Sequence, residues 1–82
     1  MKYYVKGIEQ TLINGEYNEF AATNVKKDDF KSAEVYFLGR LAELRNSPSH
    51  VYAQLRIENS KGADVVKPYT IGEYVDLDAV EE

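Results

Sequence analysis

The chain has no cysteine. Disulfide scaffolds and thiolate zinc sites are therefore excluded. It also has no tryptophan, one histidine, one methionine and two prolines. No apolar stretch approaches the ~20 residues that a membrane-spanning helix needs. Lys6 and Glu9 interrupt the first apolar stretch, so a secretory signal core is not expected either. No asparagine stands in an Asn-x-Ser/Thr sequon. The expected location is cytoplasmic, in a bacterial or an infected host cell, with no membrane partner. The five glycines, at 7, 15, 39, 62 and 72, are scattered and form no phosphate-cradling loop.

What is present is one small domain of 82 residues, of which 44% are hydrophobic. That is enough for a core, although a chain this short buries only ~60% of its unfolded surface. Ten basic residues stand against fourteen acidic ones, giving a net charge of −4. The excess is local. Gly72 to Glu82 holds Glu73, Asp76, Asp78, Glu81 and Glu82 and no basic residue. The body is thus close to neutral, which opposes a generic electrostatic grip on nucleic acid. Residues 1–77 read as a single α+β domain and residues 78–82 as a frayed acidic tail.

Tyr3 to Gln10 carries Tyr, Val and Ile and reads as a strand. Asn14-Gly15 predicts a type I′ hairpin turn, because both central residues there need positive φ. Glu16 to Phe20 is the expected partner strand, and Gly7 suggests a bulge or a close backbone approach. Asp28 to Arg45 reads as the one helix, with Asp28 and Asp29 at its start. Phe30, Ala33, Phe37, Leu41 and Leu44 recur at spacings of three and four and form its buried face. Val35, Leu38 and Ala42 are expected to widen that face, and Gly39 to allow close packing on a sheet. Asn46-Ser47-Pro48-Ser49 ends the helix. Val51 to Glu58 alternates apolar and polar residues and is the clearest strand. A turn at Asn59 to Gly62 leads to a return strand from Val65, which Pro68 confines to an edge or a bulge. Tyr69 to Leu77 offers one further short strand. The expected architecture is an antiparallel-rich sheet of three to five strands with one amphipathic helix on one face.

Catalytic equipment is sparse. His50 has Ser47 and Ser49 nearby, but a serine two or three residues away in a loop is not expected to reach triad geometry. Asp28-Asp29 read as helix caps. Asp76 and Asp78 are too few oxygens for a cation site. No catalytic residue, metal or cofactor is expected. The candidate partner-binding residues are Tyr52, Gln54, Arg56 and Glu58 on the polar side of the clearest strand, with Glu73, Asp76 and Asp78 in the acidic segment. Seven tyrosines support a contact surface, since tyrosine gives large contact area for little rotamer entropy. The alternative is a nucleic-acid-binding patch of Lys2, Lys6, Lys26, Lys27 and Lys31 with neighbouring tyrosines. A third reading is a structural subunit or an edge-pairing homodimer.

Three pieces carry a family resemblance. They are Met1-Lys2-Tyr3-Tyr4-Val5, then Glu19-Phe20-Ala21-Ala22-Thr23-Asn24, then Leu55-Arg56-Ile57-Glu58-Asn59 with Gly62. In size and element order the chain resembles short phage and prophage proteins, including some small anti-CRISPR proteins. The resemblance implies a non-enzymatic protein that sits on the surface of a host defence complex. It implies no particular contact residue.

Overall fold

The computed structural model describes residues 2–77, without the side chains of residues 22 and 23. Strands β1 (Tyr3–Ile13) and β2 (Glu16–Lys27) form a long hairpin. Helix α1 (Phe30–Arg45), β3 (His50–Asn59) and β4 (Tyr69–Gly72) follow. The sheet order is β2-β1-β3-β4, with every neighbouring pair antiparallel. This is the α+β architecture expected, with four strands among the described residues. Asp78, Glu81 and Glu82, and the tail they belong to, lie outside the described residues.

The hairpin turn follows from its dipeptide. Asn14 and Gly15 take φ of 53° and 81°, and Ile13 pairs with Glu16 across them. The strands run further than the sequence pattern suggests. β2 continues through the polar stretch after Phe20 because β1 offers it a ladder as far as Tyr3↔Lys27. The register shifts between Gly7 and Glu9, where Ala21 and Ala22 together face Ile8. The expected bulge is therefore real, and its extra residue lies on β2.

Alternate residues of β1 and β3 point to the helix. Val5, Ala53, Leu55 and Ile57 meet Ala33, Phe37, Leu41 and Leu44 in one core. Tyr3, Phe30 and Ile71 pack against its margin. Asp29 is the N-cap, its carboxylate accepting from the Ser32 N–H at 2.8 Å. At the other end the Asn46 N–H bonds back to the Glu43 carbonyl and closes the helix.

Two helix expectations are corrected. Val35 and Leu38 are 59% and 55% exposed, and Ala42 is exposed with them, so they do not widen the buried face. They lie on the outward side of α1. Gly39 shares that side; a Cβ there would meet nothing within 4 Å, so it serves no close helix–sheet approach. The return strand expected from Val65 is reduced to a bridge between Glu58 and Asp64 and a bond from the Val65 N–H to the Ile57 carbonyl. Pro68 follows, and pairing resumes only at Tyr69.

Candidate functional site

The sheet face away from α1 carries Tyr4, Lys6, Ile8 and Gln10 from β1, and their cross-strand neighbours. Glu19 stands opposite Gln10 on β2. Tyr52, Gln54, Arg56 and Glu58 stand opposite Gln10, Ile8, Lys6 and Tyr4 on β3. Three of the strand residues expected to bind a partner, Gln54, Arg56 and Glu58, line a shallow groove of about 300 Å³ on this face. Ile8, 43% exposed, and Ala21 supply its apolar floor; Lys6 and Asn24 complete the rim. The β2 bulge opposite Ile8 lies at the floor of this groove.

The groove's charges are ordered among themselves. Glu58 lies 3.0 Å from Lys6 Nζ and 3.5 Å from Arg56 Nη1. The Lys6 hydrogen bond, more than any other contact, holds the Glu58 carboxyl below its ordinary value. Arg56 also donates to Gln54 Oε1 at 3.2 Å and approaches Asp64 at 3.8 Å. The result is an exposed apolar strip between a doubly bridged carboxylate and two amide side chains. Such a strip suits an extended chain, because it offers an apolar seat beside both donors and acceptors.

The other end of the same face is already occupied. Gly72 takes φ +71°, and a Cβ there would collide with the Val51 carbonyl. The chain turns at this glycine and runs back over the sheet. Gln10, with no exposed surface, sits under it. Its amide donates to the Val75 carbonyl at 2.7 Å and to Glu19 Oε1 at 3.0 Å, and accepts from the Val75 N–H at 2.8 Å. Tyr74 stacks edge-on against Tyr52 at 5.2 Å, and its hydroxyl donates to Glu19. Tyr52 therefore holds the chain's own segment. Glu73 and Asp76 are exposed on that segment, apart from the groove. Asp78 lies outside the described residues. The sequence had no signal for Gln10, since a buried amide beneath a crossing segment reads as an ordinary polar strand residue.

The lysines of the alternative reading do not form one patch. Lys6 and Lys26 are on the open face, whereas Lys27 lies over the Tyr36 ring of the helix at 5.4 Å. Lys2 bonds Asp28, Lys6 bonds Glu58 and Lys31 approaches Glu34. Carboxylates thus offset much of the charge that phosphates would need.

His50 departs from expectation. Ser47 does reach it, with Oγ 2.7 Å from Nδ1, and Nε2 lies 2.6 Å from Glu9 Oε1. Glu9 is 1% exposed and also meets Arg40 at 2.6 Å. The neutral tautomer with hydrogen on Nε2 satisfies every member: Nε2 donates to Glu9 and the Ser47 hydroxyl donates to Nδ1. The chain of bonds has the residue types of a triad. The network is anchored at both ends, Glu9 also pairing with Arg40 and the Ser47 N–H donating to the Leu44 carbonyl. It ties β1, the end of α1 and the start of β3 together.

Among the described residues no helix is long and apolar enough to cross a membrane. Compared with family models, curated proteins and solved structures, the chain matches none of them.

Proposed function

We propose that the chain is a non-enzymatic protein-binding domain that receives an extended segment of a partner protein on its open sheet face. The observation that carries this reading is the groove beside Ile8. It sets exposed apolar surface between Lys6, Arg56 and Glu58 on one rim and Asn24 on the other. The Gln10–Val75 contact supports it, because the same face already holds an extended stretch of backbone through a side-chain amide. A guest with an apolar residue over Ile8 and polar groups beside Gln54 and Asn24 fits the chemistry.

The layout resemblance to small anti-CRISPR proteins points to host defence complexes as the partner class, and the proposal includes that class. Its test is an interference assay in cells carrying a CRISPR system from the native host. Expression of the chain should restore plasmid survival, and Ile8→Arg should abolish the effect while leaving the circular dichroism spectrum unchanged. Survival unchanged by the wild-type chain removes the defence-complex reading. Survival restored equally by Ile8→Arg removes the groove.

A further inference from the structure

β2 is an edge strand of twelve residues, with β1 on one side and, among the described residues, no strand on the other. An edge this long is a template for another chain unless something blunts it. Its charges are arranged by end. Glu16 and Glu19 stand at the start and Lys26 and Lys27 at the finish. Against a generic strand these charges repel or go unmatched. Against a second copy running antiparallel they match, because the acidic end of each strand meets the basic end of the other.

The bulge sets the register. Glu16 and Phe20 share the helix-side face with Val25 and Lys27, since they stand opposite Ile13, Glu9, Val5 and Tyr3 of β1. The even-numbered residues before the bulge and the odd-numbered residues after it therefore lie on one face. A two-fold axis through Ala21 and Ala22 is the arrangement that keeps like faces opposed along the whole strand. It places Glu16 across from the partner's Lys27 and Tyr17 across from the partner's Lys26, each contact occurring twice.

A second feature lies at the same place. Beside the basic end of β2, on the helix side, is a shallow groove of about 390 Å³ lined by Lys27, Lys31, Ser32, Val35 and Tyr36. The partner's Glu16 arrives at this groove, where two lysines face it. Phe20, 42% exposed on the same face, gains cover near the axis.

We infer that two copies of this chain pair through β2 to form one continuous eight-stranded sheet. The partner is a second copy, selected by the end-to-end charge pattern. The open-face groove beside Ile8 then occurs twice on the joined sheet.

Sedimentation equilibrium on the full chain tests this through a charge swap. The wild type should weigh twice the monomer in the hundreds of micromolar. Glu16→Lys and Lys27→Glu should each weaken self-association at least tenfold. An equimolar mixture of the two variants should recover the dimer mass, because each variant then supplies the charge the other lacks. Glu16 is exposed beside the hairpin turn and Lys27 ends its strand, and circular dichroism checks that both variants fold. Concentration-dependent slowing of amide exchange in β2 of the wild type supplies an independent readout. A wild type that stays monomeric overturns the inference. So does a dimer that both single variants leave intact, or a mixture no more associated than its parts.

Discussion

The side-chain amide of Gln10 grips both backbone groups of Val75, donating to its carbonyl at 2.7 Å and accepting from its N–H at 2.8 Å. A fully buried amide on a sheet's open face is costly unless every polar atom is satisfied. Here the crossing segment satisfies it, and the segment in turn depends on it. Gln10→Ala should release residues 73–77 from the sheet at a cost of ~1–3 kcal/mol, the usual range for such bonds. Amide exchange at Val75 checks this. Slow exchange that survives the substitution would mean the segment is held by something else.

Gly72→Ala should release the same segment by another route. The residue's positive φ disfavours a Cβ, and the Val51 carbonyl leaves no room for one. Gly39→Ala is the contrast, because a Cβ there meets open space within a helix. It should stabilise the chain by ~0.5–1 kcal/mol. Thermal melts of the two variants should move in opposite directions. A shift of Gly72→Ala no larger than that of a surface substitution would contradict the tight turn.

The Glu9–Arg40 pair yields a double-mutant prediction. Glu9 is buried and Arg40 half-buried, and the two lie 2.6 Å apart. Arg40→Met leaves His50 as the remaining side-chain partner drawn to that carboxylate, and should cost ~3 kcal/mol or more. Glu9→Leu with Arg40→Met removes both charges and should cost clearly less than Arg40→Met alone. Urea denaturation measures both. Additive losses would show that the two side chains act independently.

Acid should weaken the groove rim in a defined window. Lys6, and to a lesser degree Arg56, hold the Glu58 carboxyl below its ordinary 4.5. A carboxyl with a depressed folded-state pKa contributes stability above its unfolded value and loses it as pH falls through the folded one. The contribution is therefore present at neutral pH and fades below the ordinary carboxylate range. Lys6→Met should move the Glu58 titration upward in a carboxyl NMR experiment. A titration unmoved by Lys6→Met would remove the assigned cause.

Much of the fold was legible because local chemistry and global fold agree. Asn14-Gly15 dictated its turn, the three-and-four spacing of Ala33, Phe37, Leu41 and Leu44 marked the core face, and Val51 to Glu58 alternated visibly. The misread positions have tertiary causes. β2 extends through polar residues because β1 pairs with it, not because its own pattern is strand-like. Val35 and Leu38 read as core because periodicity cannot tell which of two apolar stripes meets the sheet. Gln54, Arg56 and Glu58 were legible as an outward face, whereas Ile8 at the groove floor was not, since an apolar strand residue carries no local sign that it faces the uncovered side of the sheet. The Glu9–His50 contact joins residues forty-one positions apart, beyond the reach of any local signal.

Those outward apolar residues make a further prediction. Leu38→Gln should change stability by less than ~0.5 kcal/mol, as exposed substitutions do. Leu44→Ala, in the core on the same helix, should cost ~2–5 kcal/mol. Paired urea titrations distinguish them. A large loss at Leu38 would mean that this side of α1 is covered in solution.

The groove beside Ile8 is the proposed seat of the partner. Quantitative affinity capture from the native host, with wild type, Ile8→Arg, Arg56→Glu and Val35→Arg as baits, tests it most directly. One protein should be retained by wild type and Val35→Arg and reduced at least about tenfold with either groove variant, a change of ~1.4 kcal/mol or more. Retention of that protein by both groove variants, with loss at Val35→Arg, would exclude the groove and move the binding surface to the outer side of α1.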